Sequence, residues 1–385
     1  LVDGKNCADK ENRFLTKQQE YANVDQKKFE QIPGSPIGYW VSKKFFSGFA
    51  GNLALSAVCK PTQGLATADN ARFLRYWSEV SIRRIGFGCK SSEEALASGR
   101  KWFSYNKGGG FRKWYGNQYY VLNWGNDGEE IKSFKAAVIR NPTYYFKPSI
   151  SWSLTTSAGI GFRYNPEAAI FDVNGMSLFP NEGIDFFLLL GSLNTKYNVQ
   201  FANLINPTLA LQCGDVAKLP YLINDSFKQQ DKTCIQFLVK SNYLLSRQDW
   251  DAHETSWDFK ENELIRIGKE KGTHLLEDCY KAYVKEWTDK FMQLHANEEE
   301  LNRQFIDIYG LQNELTPDVP LDEITILQQG EISIADGNVI WHPDVVMKQL
   351  VSYIVGIWMG RYRLDRPGLY IAYPSPSAED LAPYT

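Results

Sequence analysis

Two glycine-bearing segments frame the stretch on which the reading of this chain turns. They are Gly64-Leu65-Ala66-Thr67-Ala68-Asp69-Asn70 and Lys107-Gly108-Gly109-Gly110-Phe111-Arg112-Lys113-Trp114-Tyr115. From Ala71 to Lys113 there are ten Lys or Arg and three Glu, in a protein whose net charge is −3. Phe73, Tyr76, Trp77, Phe87, Trp102, Phe103, Tyr105 and Phe111 are interleaved with these cations. Cationic side chains, aromatic faces and a glycine run are the ingredients of a polyanion-binding surface. Around this stretch, residues 53–235 read as short runs separated by Gly, Asn and Pro. The runs at 81–87, 118–124, 150–155, 160–164 and 169–173 are rich in β-branched and aromatic residues, which predicts strands of a mixed sheet.

Further along, helical spacing takes over. Residues 181–205 contain a strongly apolar run and read as one helix, stopped at Asn206-Pro207. Leu276, Cys279, Tyr283, Trp287, Phe291 and Leu294 recur at three- and four-residue intervals, the stripe of an amphipathic helix. Asn297 with Glu300 resembles a capping box opening a second helix over 301–309. Pro343 suits the first turn of a last, apolar helix over 344–359. At the other end, residues 1–32 are polar with one weakly amphipathic helix, and Ile32-Pro33-Gly34-Ser35-Pro36 is a turn. The predicted class is α+β, a mixed-sheet domain followed by a mainly α-helical C-terminal region. Its expected division is a lead-in over 1–50, a sheet domain over 51–240, and a helical domain with an extended tail over 241–385.

Composition bounds the function more loosely. From Ala296 to Val345 there are eleven Asp or Glu and one Arg, so charge is separated along the chain. The six cysteines are widely spaced without a CxxC pair, which reads as free thiols of a reducing compartment. No run of about 18 apolar residues points to a membrane, and cytoplasm is the expected location.

The chemical motifs are weak. Asn141-Pro142-Thr143-Tyr144 departs from the Asn-Pro-Pro-Tyr of amino-directed DNA methyltransferases at Thr143 and reads better as a turn into a strand after Phe146. Asp127 with Glu130-Ile131-Lys132 has a spelling used by metal-dependent nucleases, without a convincing acidic partner upstream. His253, His274, His295 and His342 lack metal-ligand spacing. No Gly-Lys-Ser/Thr phosphate loop is present. Glycines at 108–110 would let a backbone approach closely while Lys107, Arg112 and Lys113 clamp phosphates; an ordinary exposed hairpin tip is the alternative. Thr67, Asp69 and Asn70 suit either a base edge or the cap of a helix from Ala71.

Several separated pieces carry a resemblance. They include Ile85-Gly86-Phe87-Gly88-Cys89-Lys90, Lys101-Trp102-Phe103-Ser104-Tyr105-Asn106, Glu254-Thr255-Ser256-Trp257-Asp258-Phe259 and Gly356-Ile357-Trp358-Met359-Gly360-Arg361-Tyr362. With the glycine segments above, they make residues 31 to about 370 resemble the C-terminal half of the PglX family, the adenine-specific DNA methyltransferases of BREX phage-exclusion systems. Leu189-Leu190-Gly191-Ser192-Leu193-Asn194-Thr195-Lys196 and Gly214-Asp215-Val216-Ala217-Lys218-Leu219-Pro220 resemble the end of restriction–modification target-recognition domains.

The resemblance implies that the sheet domain recognises double-stranded DNA. It implies that catalysis and S-adenosylmethionine belong to an N-terminal methyltransferase domain before Leu1, so this chain has no cofactor and no catalytic residue of its own. Arg72, Arg75, Lys107, Arg112, Lys113 and Lys147 are the expected contacts to phosphate or guanine, Thr67, Asn70 and Ser153 those to base edges, with Gly109 and Trp114 in the same surface. The helical region from about Ser246 is expected to pack across the DNA or to bind other phage-defence proteins; its acidic segment, 298–344, is expected to avoid phosphates, to attract a basic partner, or to act as an intramolecular brake. The rival readings are an interaction scaffold that does not touch DNA, and a nuclease built on Asp127, Glu130 and Lys132.

Overall fold

The computed structural model describes residues 6–16, 42–156, 158–370 and 377–378. The expected turn at 32–36 and nearly all of the tail at 374–385 lie outside them. Seven strands form one sheet: β1 (Cys59–Thr62), β2 (Leu74–Tyr76), β3 (Trp102–Asn106), β4 (Tyr120–Asn123), β5 (Lys147–Trp152), β6 (Phe162–Phe171) and β7 (Ser177–Pro180). Their order is β1-β7-β5-β6-β3-β4-β2. All neighbours are antiparallel except β3 and β6, whose parallel pairing at Tyr105↔Ile170 joins the two halves of the sheet. The sheet is therefore mixed, as the sequence predicts.

Local differences from the sequence reading have physical causes. Runs 160–164 and 169–173 merge into the single ten-residue β6, and the Pro166 region is absorbed by an irregular register between Lys147↔Ala169 and Ser149↔Asn165. Residues 81–87 hold a 3₁₀ turn, Ile82–Arg84, instead of a strand. The helix expected over 181–205 breaks into Phe186–Asn194 and Lys196–Ile205, because Thr195 is extended and caps the second piece through Asn198 N. Asn297 opens no helix. Its side chain reaches Ser241 Oγ (3.1 Å) and Asn242 Oδ1 (2.8 Å), so Leu276–Tyr309 runs on for 34 residues. The final helix, Pro343–Trp358, starts at its proline.

Helix Gln229–Asp251 passes straight through position 240, where a domain boundary was expected. The main core is also common to both sides. Trp114, Ile150, Trp152 and Phe162 from the sheet region pack in one cluster with Leu189, Leu190, Trp287, Leu294, Leu301 and Phe305. A second core on the other side of the sheet contains Phe73, Phe103, Tyr105, Leu122, Trp124, Ile131, Ile170 and Phe171. A hairpin, β8 (Ile332–Ala335) and β9 (Asn338–Trp341), turns on Asp336 (φ 50°) and Gly337 (φ 71°), the positive-φ pair that a two-residue hairpin loop requires.

Candidate nucleic-acid interface

The glycine-rich loop leaves β3 at Asn106 and is tied down at four points. Gly108 (φ 86°) passes the 173–175 turn so closely that a Cβ would lie 2.6 Å from Asn174 O. Lys107 Nζ donates to Asp172 Oδ2 (2.7 Å), which also accepts from the Tyr105 hydroxyl (2.6 Å). Arg112 Nη1 donates to Asp249 Oδ2 (3.0 Å) on helix Gln229–Asp251. Glu298, on the 34-residue helix, takes Lys113 Nζ on Oε2 and Trp114 Nε1 on Oε1, both at 2.7 Å. A buried cation is tolerable only when paired and hydrogen-bonded, and these carboxylates supply the pairing.

This corrects the expectation for three nominated residues. Arg112, Lys113 and Trp114 are 5%, 6% and 0% exposed, so they build the loop and do not face a ligand. At Glu298 the acidic helical region meets the loop directly, since that carboxylate is the loop's seat. Beneath the loop, Arg163 is buried without a carboxylate, donating to Arg112 O (3.2 Å) and Ser153 Oγ (3.3 Å). Burial, reinforced by the Arg112 charge, pushes its guanidinium down to about 10. Ser153 is thus engaged internally. Gly109 remains exposed at the tip, next to Gly110.

The other framing segment divides in the same way. Gly64 runs against Phe171, where a Cβ would lie 1.8 Å from the carbonyl oxygen. Thr67 is buried and donates to Asn70 Oδ1 (2.6 Å), which takes it off the surface. Asp69 caps the turn Asn70–Phe73 through Arg72 N (3.0 Å). Asn70 and Arg72 stay exposed, and Arg72 shares Glu130 with Asn123 (3.0 and 2.7 Å). Those two bonds, Asn123's first, hold the Glu130 carboxyl below its ordinary range. Arg75 is half-buried over the Trp102 ring (5.9 Å) and bonds the carbonyls of Ala71 and Leu74. Lys147 is exposed over Tyr144, distant in the sheet order from β2.

What the fold gathers is a basic rim around the start of β3, two strands in from the β2 edge. Lys101 N bonds Arg84 O (3.1 Å), and Gly86 N bonds Trp102 O (2.8 Å), which seats the 82–84 turn against the start of β3. Arg83, Arg84 and Arg100 are exposed, and Lys101 lies over Trp102 at 5.7 Å. None of these four makes an ion pair among the described residues. Sequence reasoning counted their charge but did not nominate them. No local signal set them apart, since Arg100 follows Gly99 and Lys101 precedes Trp102 just as Lys107, Arg112 and Lys113 sit next to glycines and large aromatics yet fold inward.

The remaining motifs settle into structure. Asn141 (φ 50°) donates to Gln63 O (2.9 Å) at the head of a 3₁₀ turn that leads into β5. Asp127 pairs with Lys132 (2.6 Å) and Glu130 with Arg72. No group of three possible metal ligands gathers among the described residues. None of the described helices is long and apolar enough to cross a membrane.

His253 belongs to a buried cluster, and its side-chain partner is distant in sequence. Nδ1 lies 2.6 Å from Asp249 O, and Nε2 lies 2.6 Å from Glu331 Oε1. Burial opposes the imidazolium charge, but the bond to Glu331 and the charges of Asp249 and Glu331 outweigh it and raise His253 above 6.5. Burial likewise pushes Glu331 up, and the bond and charge of His253 outweigh it, bringing the carboxyl from 4.5 to about 2. Stability from the raised histidine is full below 6.5 and is lost as pH climbs through its folded value; that from Glu331 is full above 4.5 and is lost as pH falls towards about 2. Melting temperatures should therefore decline on the alkaline side, and His253→Gln should flatten that limb. An unchanged alkaline decline in the variant would assign it to another group.

No protein-family profile matches the chain. Two characterised relatives do, over 97% of its length. It is 37% identical to an adenine-specific methyltransferase, PglX, of Lacticaseibacillus casei (strain Zhang). It is 34% identical to an adenine-specific methyltransferase, BrxX, of Escherichia coli O9:H4 (strain HS). The chain belongs to this PglX/BrxX family. It spans 30% of the length of each relative, a smaller share than the half expected from the resemblance. Within the PglX/BrxX family it represents a C-terminal portion, so the sheet, the seated loop and the basic rim all belong to that portion.

Proposed function

We propose that this chain is the sequence-specific double-stranded DNA recognition part of an adenine-specific methyltransferase serving phage defence of the BREX kind. The observation that carries the reading is the rim of Arg83, Arg84, Arg100 and Lys101, none of which makes an ion pair among the described residues. Arg72, in the turn before β2, and Arg75, on β2, extend it, while Asn70 and the Gly109 tip offer uncharged groups to base edges. Lys147 is a more remote phosphate contact. In this reading methyl transfer from S-adenosylmethionine belongs to the remaining length of the PglX/BrxX proteins, and this portion chooses the site.

The test is selection of random duplexes by the protein at two salt concentrations. One short asymmetric motif should be enriched. With about six phosphates neutralised, log affinity should fall against log salt with a slope near about −5. Binding without sequence enrichment and without salt dependence would sink the proposal.

A second reading, a protein-interaction scaffold, is favoured by the final helix. Val351, Val355, Trp358 and Met359 are exposed at three- and four-residue spacing, Trp358 by 78%. Its test is whether Trp358→Ser abolishes association with other phage-defence proteins while leaving duplex selection intact.

A further inference from the structure

The helical region meets the sheet at a cleft of about 570 Å³. One wall is Trp77, Ser78, Val80, Ser81, Ile82 and Arg83, from the segment between β2 and β3; the other is Glu254, Arg361, Tyr362 and Leu369. The walls are fixed relative to each other. Trp77 Nε1 donates to Thr255 O (2.8 Å), Leu369 packs on the Trp77–Trp102 cluster, and Phe87 meets Trp257 at 5.0 Å. Two cations face this cleft, one from each wall. Arg83 is exposed and makes no ion pair among the described residues. Arg361 has a side chain 48% exposed and reaches its carboxylate, Glu254, only at 3.5 Å, a distance at which a charge-assisted hydrogen bond is weak.

The geometry points to this cleft as a second anchoring point for the DNA backbone, with Arg83 and Arg361 as phosphate ligands supplied by opposite walls. The inference rests on the DNA-recognition reading and extends it into the helical region, giving residues to the expectation that this region packs across the DNA. Three features support it. The cleft is continuous with the basic rim, because Arg84, next to Arg83, carries the carbonyl that seats Lys101. Its hydroxyls, Ser78 and Ser81, are of the type that accompanies Arg at phosphates. Its one carboxylate among the lining residues, Glu254, holds Arg361 loosely at 3.5 Å and has a side chain 23% exposed, so a phosphate that takes over Arg361 leaves it in contact with solvent.

The test measures binding of a fluorescent random-sequence duplex by the full chain over a salt series, for the parent protein and for Arg83→Gln, Arg361→Gln, Glu254→Gln and Lys101→Gln. Each of the two cleft arginine variants should lower the steepness of the log–log salt dependence by about 0.9. Glu254→Gln should act in the opposite direction and tighten binding about threefold at low salt, because it frees Arg361; a folding defect cannot produce a gain. An unchanged slope for Arg361→Gln, with Lys101→Gln still lowering it, overturns the two-walled anchor and leaves the rim standing. If the parent protein binds without salt dependence and Lys101→Gln changes nothing, DNA recognition itself fails, and the cleft assignment with it.

Discussion

Glu298→Ala should lower the melting temperature by about 5–10 °C, more than removal of any surface carboxylate. Glu298 is 4% exposed and is the shared acceptor of Lys113 and Trp114. Truncating it strands the Lys113 ammonium, whose next carboxylate, Glu323, lies 3.9 Å away and is 44% exposed. Breaking a buried pair from one side costs about 3–5 kcal/mol, and a chain of this size converts each kcal/mol into roughly 2 °C. Glu298→Gln should fall between, since an amide oxygen still accepts from Trp114 but does not neutralise Lys113. Lys113→Met combined with Glu298→Leu should lose much less than the sum of the single changes, because an apolar pair of similar volume avoids the stranded charge. Thermal melts of the four proteins complete the cycle; strictly additive losses would mean that the pair does not act as a unit.

Reversal of Arg84, Arg100 and Lys101 to Glu should weaken duplex binding on the order of a thousandfold at low salt, with a change in melting temperature under about 2 °C. Each charged contact is worth roughly 1.5–3 kcal/mol, and surface changes away from packed or capped positions are nearly neutral for stability. Arg112→Gln should show the opposite profile. It removes the partner of Asp249 under the loop and should appear first as lost stability. Titration of a labelled duplex beside melting curves separates the two behaviours. Equal effects on both readouts for the rim variant would deny the rim a role of its own.

These contrasting profiles show where the sequence was legible. Alternation and β-branched content exposed β4, β5 and β6, and the four-residue rhythm from Leu276 to Leu294 exposed the long helix. Both are local signals. Whether a lysine beside glycines faces solvent is not local: Arg112 meets a carboxylate 137 residues away, and Lys113 one 185 residues away. Charge density therefore marked a region, while burial left Arg83, Arg84, Arg100 and Lys101 as its cations without an ion pair among the described residues. Asn297 shows the same limit, since its capping pattern lost to hydrogen bonds with Ser241 and Asn242. The β8–β9 hairpin was readable in principle from Asp336-Gly337 between alternating apolar residues, although an acidic-segment reading passed over it.

The seat of the glycine-rich loop bears on how specificity could be transplanted between relatives. The tip at Gly109 and Gly110 takes its position from Asp249 and Glu298 on two separate helices, and Trp114 lies in a core shared with both. A graft of the sheet alone would carry the tip without its foundations and leave two cations with no home. The exchangeable cassette is the sheet together with the helices through at least Glu331. Within that cassette the tip can be rewritten with little effect on its footing.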